Sequence, residues 1–157
     1  MYNSPLAYFI TFRTYGTWLH GDQQGSVDRR HNAFGTPMLA ADQRREEFER
    51  SKLKHPPVVL NEKQRCLVYD ALTEVCGYRG WALHALNVRS NHVHIVVSCD
   101  VSPERAMNDF KAYATRRLRE SSLIEAETKV WSRHGSTIYI FKAEKLAEKI
   151  RYVQDFQ

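Results

Sequence analysis

The segment Trp81–Ser98, WALHALNVRSNHVHIVVS, decides the fold. Trp81 to Val88 (WALHALNV) and His92 to Ser98 (HVHIVVS) both read as strands, and only Arg89-Ser90-Asn91 separates them. Two strands across so short a link form an antiparallel hairpin. Side chains alternate along a strand, so His92 and His94 share one face, roughly 6–7 Å apart along the chain, while Val93 and Ile95 turn to the other. Two imidazoles on the open face of a sheet can jointly hold a divalent cation and leave positions for substrate oxygens. A polar pair in an otherwise apolar strand is not needed for packing, which sets it apart from a chance pairing among the seven histidines. His84, on the neighbouring strand, suits a supporting or structural role better than a ligand's, and His20, His31, His55 and His134 fall in loops.

Upstream of the hairpin, Asn61 is a plausible helix N-cap before the apolar series Cys66, Leu67, Ala71, Leu72 and Val75, a helix that ends near Gly77 and Gly80. Further upstream, Ala7 to Thr14 (AYFITFRT) is a first strand by its aromatic and β-branched content. Between them, residues 15–57 lack periodicity and are punctuated by glycine and proline, with one charged helix expected over 40–54. A connection of that length in a compact domain is a functional insertion or a lid. Downstream, Ser102-Pro103-Glu104 opens a helix running to about Glu120, with Ala106, Phe110, Tyr113, Ala114 and Leu118 as its buried stripe. Ser136 to Phe141 (STIYIF) is a short strand, and Lys142 onward is a final helix. The order is therefore βαββαβ followed by one more helix. This is the α+β, ferredoxin-like split βαβ plan, with a four-stranded antiparallel sheet and helices on one face.

At 157 residues the chain fits a single domain, residues 1–157, with a core of its own. Its apolar share of 43% argues against disorder, and no run approaches a membrane span. The start, MYNSP, has no cationic patch followed by an apolar stretch, so a cytoplasmic protein is expected. Cys66, Cys76 and Cys99 are too widely spaced for a metal knuckle and read as reduced thiols. A net charge of +5 and a pI near 9.2 favour a polyanionic partner without identifying it.

On the last helix Leu146, Ile150 and Val153 form the core stripe, and Tyr152 lies about 120–130° from its centre, on the side of Lys145, Lys149 and Phe156. A phenol with a pKa near 10 needs a cation or a base beside it to act as a nucleophile, and Lys149 or a docked metal supplies that field. Tyr113, on a buried stripe, and Tyr139, in a strand, read instead as packing residues. The second helix carries Arg105, Lys111, Arg116, Arg117 and Arg119, offset nearby by Glu104, Asp109, Glu120 and Glu125. Cations so placed, together with Lys149 on the last helix, can neutralise successive phosphates of a nucleic acid.

In order and spacing, NHVH followed by IVV, then a basic FKAYATRRL helix, then W-x-R-H-G-S-T and a helix containing RYV, resemble one family. These are the HUH-type single-tyrosine transposases, the insertion sequence 200-like and REP-associated tyrosine transposase proteins. The resemblance extends to TYGTWLHGD after the first strand and so covers nearly the whole chain. It implies a homodimer that binds single-stranded DNA, often next to a hairpin, without a nucleotide cofactor or a membrane. It also implies that His92 and His94 hold Mg²⁺ or Mn²⁺ and that Tyr152 attacks phosphorus, forming a 5′-phosphotyrosine link. In the family a polar residue one turn past the tyrosine completes the metal site; here Phe156 stands at that position and cannot ligate. Gln157 is the replacement favoured by the resemblance, and Asp155, about 60° round the helix from Tyr152, is the geometric alternative. Two other activities fit the same residues: a non-catalytic relative that binds hairpin or single-stranded DNA, and a phosphoesterase using the histidine-held metal alone.

Overall fold

A computed structural model of the chain describes residues 3–17 and 55–155. Most of the 15–57 insertion, including the helix expected over 40–54, lies outside the described residues. The elements are β1 (Ala7–Thr14), α1 (Glu62–Arg79), β2 (Ala82–Val88), β3 (His92–Ser98), α2 (Pro103–Glu120), β4 (Trp131–Ile140) and α3 (Ala143–Asp155). The strands form one sheet in the order β2-β3-β1-β4, and every neighbouring pair is antiparallel. This is the expected ferredoxin-like arrangement, with the crossover helices α1 and α2 on one face.

Local chemistry sets the helix ends. Asn61 and Gln64 make a reciprocal capping box, the Gln64 backbone N–H donating to Asn61 Oδ1 at 2.9 Å and the Asn61 N–H to Gln64 Oε1 at 2.8 Å. At the other end Gly80, with φ 71°, adopts the left-handed conformation that closes α1; Gly77 lies inside the helix. Ser102 Oγ accepts from the Arg105 backbone N–H at the start of α2, with Pro103 in the first turn.

β4 differs from its sequence expectation. It starts at Trp131 rather than Ser136, which also places His134 in a strand rather than a loop. The early half, WSRHG, lacks alternating apolar residues because it runs along a sheet edge with one side exposed. Tertiary contacts hold it instead. Trp131 packs edge-on against Phe12 with ring centroids 4.9 Å apart, and its Nε1–H reaches Thr115 Oγ1 at 3.1 Å on α2.

The sheet has apolar side chains on both faces. Ile10 and Phe12 of β1 and Val93, Ile95 and Val97 of β3 meet Leu72 of α1 and Phe110 and Leu118 of α2 in the larger core. On the opposite face Ala7, Phe9, Ala85, Val96 and Ile140 meet Val153, Leu146 and Ile150 of α3. Fully burying a Leu-, Val- or Phe-sized side chain stabilises by roughly 1.5–3 kcal/mol, so this thinner layer is enough to dock one short helix. The Asn87 side-chain amide adds a bond of 3.1 Å to the Val153 carbonyl near the end of α3.

Candidate active site

The face on which α3 docks is the face of the histidine pair. The β1–β3 register sets Thr11 opposite His94 and Arg13 opposite His92, so strand alternation aligns Phe9, Thr11 and Arg13 beside the two imidazoles. The face expected to be open is therefore partly roofed, and His94 is only 8% exposed. The His92 and His94 ring centroids are 4.8 Å apart. Tyr152 brings its ring centroid to 5.8 Å from His94 and 6.0 Å from Phe9, which itself stacks on His94 at 5.4 Å. The tyrosine is off the core stripe, as its helical angle requires, yet it turns inward toward the histidines and remains 42% exposed.

Hydrogen bonds orient both imidazoles. His92 Nδ1 lies 2.8 Å from Asn91 Oδ1, an acceptor, which assigns the proton to Nδ1 and the lone pair to Nε2. His94 Nδ1 lies 2.7 Å from Thr11 Oγ1, and the same tautomer results when the hydroxyl accepts. Burial first, and then the neighbouring charges of His92, Arg13 and Lys149, push the His94 pKa down to about 4, so the ring is neutral at pH 7. Neutral, oriented imidazoles are the form that ligates a metal.

Cations border the pair. Lys149 Nζ stands 5.0 Å from the Phe9 ring centroid and 5.8 Å from that of Tyr152. Arg13 is half-buried; burial lowers its pKa, and the Tyr152 oxygen, when negative, acts in the opposite sense. Neither Thr11 nor Arg13 stood out in the sequence. The available signal was the polar interruption at alternate positions of β1, TFRT, which acquires meaning only once β1 is paired with β3.

Gln157, the third ligand implied by resemblance, lies outside the described residues, as does Phe156. Among the described residues no three His, Cys, Asp or Glu side chains gather into a metal-holding group, and Asp155 does not complete the pair. His84 is accounted for structurally, its Nε2 lying 2.7 Å from Ser98 Oγ. Tyr113 lies beneath the Arg116 guanidinium at 4.5 Å, and Tyr139 packs edge-on to Tyr8 at 5.0 Å, 48% exposed rather than packed away.

The cations of α2 divide into two groups. Lys111 Nζ donates to the carbonyls of Ser132 at 3.0 Å and Arg133 at 3.4 Å, and Arg117 forms an ion pair with Glu74 of α1. Arg105, Arg116 and Arg119 are exposed, although Arg116 pairs with Glu120 and Arg119 donates to the Thr128 carbonyl, and the last two line a groove of about 530 Å³ together with Lys111, Asn108 and Thr115. Because α2 packs on the other face of the sheet, this groove is remote from Tyr152.

Comparison with known proteins bears on the fold and the family. A family profile described as Transposase IS200 like matches residues 51–155. No curated protein matches the chain by sequence. Among solved structures, a candidate transposase from Deinococcus radiodurans R1 superposes with a TM-score of 0.55 at 15% identity, over 98% of this chain and 92% of that one. A REP-associated tyrosine transposase bound to a REP hairpin superposes with a TM-score of 0.54 at 13% identity, over 98% of this chain and 67% of that one. At such identities the likeness establishes the fold. Among the described residues no helix is long and apolar enough to cross a membrane. With the profile covering more than half its length, from before α1 to the end of the tyrosine helix, the chain belongs to the IS200-like transposase family.

Proposed function

We propose that this protein is a metal-dependent DNA strand transferase that cleaves and rejoins single-stranded DNA through a 5′-phosphotyrosine on Tyr152. The observation carrying the reading is that Tyr152 and His94 of the same chain meet at 5.8 Å, beside a second oriented imidazole. His92 and His94 suit a divalent cation, Mg²⁺ or Mn²⁺, with Gln157 as the third ligand favoured by resemblance. Nitrogen donors and the usual order of divalent affinities favour Mn²⁺ over Mg²⁺. When bound, the metal supplies Lewis-acid polarisation of the scissile phosphate.

The chain's own residues account for the rest of the reaction. Lys149, 5.8 Å from the Tyr152 ring centroid, adds positive charge beside the reacting groups, and Phe9 and His94 hold the ring in place. The phenol gives up its proton, its oxygen bonds to phosphorus, the bond from phosphorus to the 3′ oxygen breaks, and that oxygen takes a proton. One phosphodiester is exchanged for another, so rejoining needs no external energy source.

DNA recognition is assigned to the exposed α2 cations Arg105, Arg116 and Arg119, with Lys111, tied to β4 carbonyls, and Arg117, paired with Glu74, adding charge on the two flanks of that helix. The solved relative bound to a REP hairpin supports a hairpin beside the single strand as the ligand. A homodimer is expected to pair along β4, an edge strand whose Ile138 and Tyr139 are exposed, and sedimentation would reveal it. The reading places the protein in the cytoplasm with its DNA and uses no nucleotide cofactor. The test is incubation with hairpin oligonucleotides bearing randomised single-stranded flanks and Mg²⁺ or Mn²⁺, followed by denaturing electrophoresis. A covalent adduct mapping to Tyr152 is expected; an adduct of undiminished yield with Tyr152→Phe would overturn the proposal.

A further inference from the structure

We propose that Arg13 is a catalytic residue that grips the non-bridging oxygens of the scissile phosphate from the ground state to the covalent intermediate, and most strongly in the transition state between them. This rests on the strand-transfer reading above. The placement follows from sheet register. Arg13 stands opposite His92 on the face that bears Thr11, His94 and Tyr152, one alternation beyond the residue that orients His94. Lys149 reaches the same site from α3, so the imidazole pair and the phenol lie among cations carried by two different elements. Together they make a partly desolvated, positively charged patch of the kind that attracts a phosphodiester anion.

A guanidinium suits this task better than an ammonium. Its planar fork donates to two phosphate oxygens at once and it keeps its charge when half-buried. Burial disfavours the Arg13 charge while a negative Tyr152 oxygen favours it, which ties the guanidinium electrostatically to the atom that attacks. The chemistry gives Arg13 a continuous partner. Attack forms the bond from Tyr152 Oη to phosphorus and breaks the bond to the 3′ oxygen; the phenol proton leaves and the 3′ oxygen gains one. Substrate and phosphotyrosine product are both diesters with one negative charge and two non-bridging oxygens. Between them the pentacoordinate state concentrates more charge on those oxygens, so a fixed guanidinium stabilises it more than either diester.

The experiment uses the full chain with Mn²⁺ and a cleavable hairpin oligonucleotide, made with either a normal or a methylphosphonate scissile linkage, which lacks the phosphate charge. Arg13→Gln should lower single-turnover cleavage by about 10²–10³-fold. DNA affinity should stay within about 3-fold, because one phosphate among several is lost. Arg13→Lys should recover part of the rate, and the Arg13→Gln defect should shrink below about 10-fold on the methylphosphonate, whose neutral linkage carries one negative charge fewer into the pentacoordinate state. An equal defect on both linkages would assign Arg13 a structural role, and cleavage within about 3-fold of the parent would remove it from the reaction. Should Arg13→Gln fail to fold on thermal melting, Arg13→Lys against the parent on the two linkages decides by the same comparison. Tyr152→Phe run in parallel separates the claims. If it cleaves, the strand-transfer reading fails; if it is inert while Arg13→Gln is active, only the role of Arg13 fails.

Discussion

Replacing Thr11 by valine removes one hydroxyl from the site and little else. Valine keeps the shape and the strand preference of threonine, so β1 should retain its pairing with β3. What disappears is the 2.7 Å bond to His94 Nδ1, on a ring that is 8% exposed and has little water to turn to. A nearly buried polar group left without its partner costs about 1–3 kcal/mol. Taking ~2 kcal/mol, and ~2–4 °C per kcal/mol for a chain of this size, the metal-free melting temperature should fall by ~4–8 °C. The second effect is on the tautomer. Without the hydroxyl the proton is free to sit on Nε2, the atom proposed to meet the metal, and loss of such a supporting bond lowers metal affinity by about 10–100-fold. Thermal melts of the apo protein and Mn²⁺ titration by calorimetry measure the two effects separately, and Thr11→Ser, which keeps the hydroxyl, should recover most of both. Mn²⁺ affinity of Thr11→Val within about 2-fold of the parent would refute the orienting role.

Three further outcomes follow from the packing and the titrating groups. A Cβ on Gly135 would lie 2.5 Å from both Met107 Sδ and the Thr11 carbonyl oxygen; the thioether can swing aside, but the carbonyl is backbone. Gly135→Ala should therefore destabilise by about 1–3 kcal/mol in chemical denaturation and weaken Mn²⁺ binding through Thr11, whereas an unchanged midpoint would mean that β4 yields freely. In the metal-free protein, His94 has its pKa lowered from 6.5 to about 4, so its contribution to stability is fully present above pH 6.5 and is lost as pH falls through 4. That contribution amounts to about 3 kcal/mol, and urea titrations at pH 7.5 and 4 should show the loss in the parent and not in His94→Asn. Cys76 is buried, with its thiol pushed up to about 12 chiefly by that burial, while Cys66 is exposed. A thiol reagent at pH 8 should label Cys66 in the native protein and Cys76 only after unfolding; rapid native labelling of Cys76 would mean that α1 opens locally.

The sequence by itself determined the order of the described elements, though not where β4 begins, and the pairing of chemistry-bearing residues within them. Those signals are local: the short link of the β2–β3 hairpin, the Asn61 and Ser102 caps, and the strand alternation that puts His92 and His94 side by side. The helical angle of Tyr152 likewise separated it from the Val153 stripe before any contact was known. Tertiary structure decided what meets across elements. The early half of β4 becomes a strand only because β1 and Trp131 hold it there, without apolar alternation of its own. The partition of the α2 cations depends on Glu74 and on the carbonyls of β4, all distant in sequence. Most consequentially, the docking of α3 on the small apolar layer around Phe9 turned an open histidine face into a partly roofed site, lowered the His94 pKa and brought Tyr152 within reach. Register between β1 and β3 added Thr11 and Arg13 to that site. Register is set by the summed burial of both faces of a sheet, a property of the packed chain that no single strand carries in its own residues.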